Sequence, residues 1–327
     1  MWLTLAISSY FLLSLAVFLD KYILGGELLS PKIYAFYVGI LSIGVLFLVP
    51  IGILFSHEFF YSFGFSFLEN TTFFIIPNLY LIGLSLLAGI VSLSALFFYY
   101  QAINSFEVSR IGPAVGGTVP IFSLILIYLF AFFPFEIGFE KLTLGVSEIS
   151  ALFFLVSGSV VLTIQKEKLA TMKSLKISLL ASFLFALTFV LSKIVYNFLP
   201  FLPGFIWMRL GEFLGALSFL LLFSEVRNNI FKPQTILKKK VALPFAFSKA
   251  AGAISSILQN RAVFLAPIIF LPLINALAGI QYVFLIILAT IFFFKFPKIF
   301  KEQISRKVLL QKILGIILII SGLAILT

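Results

Sequence analysis

The groups in this chain best suited to chemistry are charges set inside apolar runs. Arg209 and Glu212 stand three apart in "FIWMRLGEFLG", a spacing that puts a guanidinium and a carboxylate on one face of a helix. Lys249 lies nine residues beyond the basic cluster Lys238-Lys239-Lys240, more than two turns into the next apolar run. Asp20 and Lys21 close the first run, and Lys193 closes a later one. Uncharged polar groups add Gln101 and Asn104, Gln259 and Asn260, and Asn275 and Gln281. An ionised side chain at the centre of a membrane span costs about 2.5–3.5 kcal/mol on insertion scales, so each of these charges implies a function or a partner.

For each residue a functional and a structural reading stand side by side. Arg209 and Glu212 form either a cavity cation buffered by a carboxylate, meeting an anionic substrate group or a coupled proton, or a mutually neutralised structural pair. Arg209 is also near enough to its span end to snorkel. Lys249 faces a cavity, or the interface if its span starts later. Lys21 and Lys193 favour helix C-termini and reach the headgroups, which makes them anchors or residues at the mouths of a pathway, with Asp20 as a gate or coupling carboxylate or simply the neighbour of Lys21. The amides line a pathway or tie helices together, and Gln281, near mid-span and followed by Tyr282, is the preferred one. Trp207, Tyr99 and Tyr100 offer stacking surfaces, although in a chain with 43 Phe the default is interface anchoring. Gly211 and Gly215 stand in GxxxG spacing and share with Gly204 a face distinct from that of Arg209, which can pack closely on a neighbour. Gly112-Pro113, Gly116-Gly117 and Pro120 interrupt the fourth run, freeing backbone groups or permitting a kink.

Other chemistry is excluded. There is no Cys, so disulfides and thiolate metal sites are ruled out, and the single His57 sits in a loop beside Glu58. A membrane-embedded enzyme needs an acid/base or metal cluster, yet the spans hold no His, no Cys and only Glu212 well inside. No catalytic residue, metal site or cofactor is expected. The chain has no Walker A pattern, so movement of a solute would be coupled to a proton, an ion or a counter-substrate.

The elements that position these residues follow from composition. A chain of 327 residues that is 62% hydrophobic and 11% charged has more apolar surface than one water-soluble core can hide, which indicates an all-α integral membrane protein in the cell membrane, with the lipid bilayer as its partner. Boundaries set by charges, Pro and Gly give ten spans, near 2–20, 33–55, 74–100, 111–133, 143–164, 177–196, 204–223, 241–263, 269–294 and 308–326. The first is read as a retained span, since it lacks a basic n-region and a cleavage pattern. The net charge of +11 would raise nucleic-acid binding in a soluble protein, but here Lys and Arg lie at span borders and act as orientation signals. Odd-numbered loops and their borders hold eighteen of the 23, the even loops only Lys141 and Arg261. That asymmetry makes the odd loops cytoplasmic and puts both termini outside.

An offset of 172 superposes Lys21 on Lys193, Pro31 on Pro203 and Gly39 on Gly211, and an offset of 164 superposes Ser157-Gly158 on Ser321-Gly322. The chain reads as two five-helix repeats, 1–165 and 177–327, joined by a basic cytoplasmic linker at 166–176. Five spans invert the second copy, and the charges agree: the second and fourth loops carry Lys141 alone, their counterparts eleven basic residues.

The runs "LDKYI" and "LSPKIYAFYVG", their counterpart "LSKIVYNFLPFLPGFIWMRLGEFLG", the segment "FFYYQAINSFEVSRIGPAVGGTVPIFSLIL", and "SGSVVLTI" and "SGLAIL" closing the halves resemble the EamA-type members of the drug/metabolite transporter superfamily over essentially the whole chain. The resemblance implies export or exchange of small metabolites through a central cavity, with the fifth and tenth helices peripheral. Bacterial members usually keep both termini in the cytoplasm, and this sequence departs from that. The expected function is secondary transport of a small polar metabolite, such as an amino acid or organic anion, by alternating access. A flippase for a lipid-linked headgroup is the alternative. Substrate identity, direction and oligomeric state are left open by the sequence.

Overall fold

The computed structural model describes residues 1–25, 30–48, 76–105, 108–131, 144–163, 172–231, 239–293 and 306–326. Helix is the only secondary structure among them, as expected where lipid offers the backbone no hydrogen bonds and each segment must pair its own N–H and C=O groups. In chain order the helices are α1 (Trp2–Gly25), α2 (Pro31–Leu41), α3 (Leu79–Ser105), α4 (Val108–Ala131), α5 (Val146–Thr163), α6 (Met172–Phe198), α7 (Phe201–Leu222), α8 (Ser224–Phe231), α9 (Lys239–Leu265), α10 (Leu271–Ala276), α11 (Ala278–Phe293) and α12 (Arg306–Leu326). Among the described residues, five segments are long and apolar enough to cross a membrane: Trp2–Leu24, Leu79–Asn104, Lys176–Phe198, Phe201–Leu222 and Ile268–Leu285. These long apolar helices mark a membrane protein, and the bundle's outer faces carry exposed Leu, Ile and Phe such as Leu79, Phe153 and Leu221.

Several boundaries differ from the sequence expectation. The second run is α-helical only to Leu41 and tightens into a 3-10 segment, Ser42–Phe47, while His57 lies outside the described residues. Met172–Lys176, expected in the linker, already belongs to α6, and the rest of that linker lies outside the described residues, as does Lys141. Arg261, assigned to a loop, sits in the last turns of α9. α4 stays helical across Gly112-Pro113 and Pro120. The ninth run is instead the broken one: a 3-10 turn at Ile268–Phe270 leads into α10, and the chain turns at Leu277 before α11.

Local chemistry explains the clean starts. Ser30 caps α2 by accepting from the Ile33 N–H at 3.5 Å, and Pro31 fills a first-turn position that needs no N–H. α7 starts differently: Pro200 stands at its N-cap position with no side-chain cap, and Pro203 lies in its first turn. At the start of α2, Lys32 meets Glu225 of α8 at 3.2 Å, and the Ser30 hydroxyl together with Lys32 holds the Glu225 carboxyl below its usual range.

Two helix crossings bring backbone against backbone. Gly89 of α3 lies so near α7 that a Cβ there would run into the Met208 carbonyl and approach the Glu212 N to 2.6 Å; a Cβ on Gly211 would come within 2.7 Å of Leu86 Cα. Of the glycine face read from the sequence, Gly211 and Gly215 make the α3–α7 contact, while Gly204 packs on Tyr196 and Val195 of α6. In the second crossing, between α5 and α12, Gly158 faces the Gly315 carbonyl and Ile319, and Gly322 faces the Ala151 carbonyl and Leu155. An offset of 164 carries each set onto the other. Gly89→Ala and Gly211→Ala should each destabilise at or beyond the upper end of the about 1–3 kcal/mol typical of overpacking, because the obstacle is backbone. Gly44→Ala and Gly83→Ala, which meet nothing within 4 Å, should be neutral in the same melting experiment.

Two lysines make matching bonds at opposite ends of the bundle. Lys21 Nζ donates to the Ile103 carbonyl near the end of α3 at 2.9 Å, and Lys193 Nζ donates to the Phe264 carbonyl near the end of α9 at 3.0 Å. Each cation thus satisfies a C-terminal carbonyl that its own helix ladder leaves unpaired.

Candidate binding cavity

Helix α9 supplies the frame of the site. Lys249, Gly252 and Ser256 recur at i, i+3 and i+7, so they form one stripe, and all three line a cavity of about 530 Å³. That volume falls within the range of small-molecule sites. Residues from α1, α2, α3, α4, α6, α7, α10 and α11 complete the wall. Two charged clusters lie on the stripe, seven residues apart and so about 10.5 Å along the helix axis.

The first cluster joins α7, α9 and α3. Arg209 Nη1 donates to Glu212 Oε2 at 2.5 Å, and Nη2 donates to the Ser256 hydroxyl oxygen. Ser92 donates to the other Glu212 oxygen at 2.6 Å. The guanidinium lies over the Phe205 ring, 4.8 Å from its centroid. Beyond Ser256 the polar chain continues to Asn260, whose Nδ2 approaches Ser256 Oγ at 3.4 Å and whose Oδ1 accepts from Tyr196 at 3.0 Å. Glu212 is buried at 3% exposure, whereas the Arg209 side chain keeps 20%. These bonds engage two of the five guanidinium N–H donors on a cation that faces the cavity, an arrangement suited to receiving an anion.

The second cluster joins α1, α2, α3 and α9. The Asp20 carboxylate, 3% exposed, accepts from the Tyr34 and Ser248 hydroxyls and pairs with Lys249 Nζ at 3.2 Å. The Lys249 ammonium faces the rings of Tyr34, Tyr100 and Phe245 at 4.5, 5.5 and 5.7 Å. Asp20 therefore pairs across the bundle and not with Lys21. Successive helical residues diverge by about 100°, so Lys21 points to Ile103 while Asp20 points inward.

The other residues singled out by sequence fall in three groups. Asn275 and Gln281 are buried and line the cavity, as do Gln259 and Asn260. Asn275 stands beside the break between α10 and α11; its Nδ2 meets Ser123 at 2.6 Å, and its Oδ1 is a buried acceptor with no partner among the described residues. Tyr10 donates to the Ile274 carbonyl at that same break, at 3.0 Å. Gln101 and Trp207 lie outside the cavity lining, and Lys21 and Lys193 serve the ends of α3 and α9. Sequence reasoning missed Tyr34, Ser248, Ser92 and Ser256. For Ser256 a signal existed, its i+7 relation to Lys249; for the others the partner becomes visible only in three dimensions.

No family model matches the chain, and no curated protein matches it in sequence. Fifteen chains of solved structures match it. One of these, a crystal structure of a protein 16% identical in sequence, aligns with a TM-score of 0.60 over 99% of this chain and 96% of its own, a likeness that shows a shared fold.

Proposed function

We propose that this protein is a secondary transporter that moves a small polar solute with an anionic group by alternating access. The observation that carries the reading is Arg209: a guanidinium in a membrane protein, held by Glu212 and Ser256, facing a cavity of small-molecule size. The site residues on the pathway are then Arg209, Glu212, Lys249, Asn275 and Gln281, with Asp20, near the C-terminal end of α1, paired to Lys249.

The architecture in this reading is ten spans in two inverted repeats. Two features support it: the reciprocal glycine contacts of α5 and α12, and the matched bonds of Lys21 and Lys193. Under the repeat, the pair α3–α7 corresponds to the pair α9–α2. The first is in backbone contact through Gly89 and Gly211, whereas Phe245 of α9 meets Tyr34 and Tyr37 of α2 through rings 5.4 and 6.4 Å apart. Unequal packing of equivalent pairs is what rocking one half on the other requires. The proposed orientation, both termini outside, follows the Lys and Arg distribution.

Purified protein in liposomes should take up one or more small organic anions from a broad panel, with a rate that responds to a pH gradient or to a counter-solute inside. Failure to move any member would sink the transport reading. Because the chain is Cys-free, single cysteines introduced at the N-terminus and at Lys239 report orientation: an impermeant thiol reagent added to whole cells should label the first and spare the second. The reverse pattern would overturn the orientation.

A further inference from the structure

Lys249 does more in this arrangement than neutralise a carboxylate. Its ammonium sits where four elements converge: Asp20 from α1, Tyr34 from α2, Tyr100 from α3, and Phe245 one turn earlier on α9. One carboxylate and three ring faces at 4.5–5.7 Å make up the recognition chemistry of an ammonium ion, because the ring faces carry negative quadrupole density and the carboxylate supplies the charge. The box is rigidly built. Tyr34 and Ser248 donate to the carboxylate and hold it in place, and the Tyr34 ring stands edge-on to both Tyr100 and Phe245, at 4.8 and 5.4 Å.

The box also opens on solute space. Asp20, Tyr100 and Lys249 all line the cavity, and the Lys249 side chain retains 17% exposure. Its four-carbon stem is flexible, so the ammonium can swing out of the box without any movement of helix α9. Nor is the pair needed by the scaffold in both halves: the position matching Asp20 is the uncharged Ser192.

We infer that the box is a binding site for the ammonium group of an organic amine, and that Lys249 is its tethered occupant, displaced when an amine enters from the cavity. Exchanging one ammonium for another keeps Asp20 paired throughout, whereas leaving the box empty would strand a buried carboxylate. Lys249 thereby holds the site in its charged, ordered form between ligands. The inference deepens the transport reading by adding an amine to the solute's anionic group, and it rests on that reading only for the passage of the bound amine across the membrane.

The test needs no transport. Lys249→Ala removes Cγ through Nζ, which together have the composition of n-propylammonium. With this variant in nanodiscs, n-propylammonium chloride should raise Tm saturably, by roughly 5 °C at high occupancy, while sodium chloride at equal ionic strength should not. In the Asp20→Asn/Lys249→Ala double variant the shift should vanish. An absent shift, a shift equal to that of sodium chloride, or one that persists in the double variant would overturn the inference. Should the variants fail to fold, the native protein supplies a second readout: propyltrimethylammonium should speed acetylation of Lys249 several-fold, measured by peptide mass spectrometry, with exposed Lys32 as the unchanged reference. Unchanged acetylation of Lys249 would contradict displacement. Amine binding without uptake would leave this site standing and defeat the transport reading; uptake without amine binding would do the opposite.

Discussion

Arg209→Ala should destabilise the protein by about 3–5 kcal/mol and abolish solute movement, because it leaves Glu212 as a buried carboxylate with one hydroxyl donor and no counter-charge. A second variant separates the two effects. Arg209→Met with Glu212→Gln replaces the ion pair by groups of similar volume and keeps an acceptor for Ser92, so stability should return to within about 1 kcal/mol of the parent. Movement should stay absent, since the cation that receives the anion is gone. Thermal melts in detergent and uptake in liposomes measure the two sides. A stable Arg209→Ala protein would mean that the pair is not mutually dependent, and a double variant that still moves solute would remove Arg209 from the binding role.

Asp20→Asn is the second large effect. The change keeps the shape that accepts from Tyr34 and Ser248 but strands the Lys249 ammonium among three rings. The expected cost is about 3 kcal/mol, at the low end for a broken buried pair, because the lysine stem can turn toward the cavity. Adding Lys249→Met should recover most of the loss, and the double-mutant cycle should give a coupling of about 2 kcal/mol or more. A coupling near zero would show that Asp20 and Lys249 act independently, and the ammonium box would then lose its central contact.

How much of this was legible in the sequence depends on how local the signal was. The i,i+3 pair Arg209–Glu212 is fixed by helix geometry alone, and so is the GxxxG pair Gly211 and Gly215 that meets α3. Ser30-Pro31 announces the start of α2 through capping and the missing proline N–H, and Pro203, its match in the second half, falls in the first turn of α7. The Asp20–Lys249 pair was beyond reach, since its members are 229 residues apart and the adjacent Lys21 offered a nearer counter-charge. Tyr34 was hidden for a different reason: in a chain so rich in aromatics nothing local distinguishes a cavity tyrosine from a packing one. The break at Leu277 was also misplaced in sequence, because the glycines and prolines of α4 signalled an interruption where the helix runs on unbroken. Gly and Pro are tolerated inside membrane helices, so their presence alone does not locate a break.

Counterflow tests the central claim most directly. Proteoliposomes loaded with a solute found by the uptake panel, then diluted into a trace of the labelled form, should accumulate label transiently, because an alternating-access carrier returns to the outside only as fast as internal solute escorts it. Liposomes holding Arg209→Met/Glu212→Gln should show no such overshoot. Label that merely equilibrates at the same rate with or without internal solute, in both preparations, would contradict an alternating-access carrier built around Arg209.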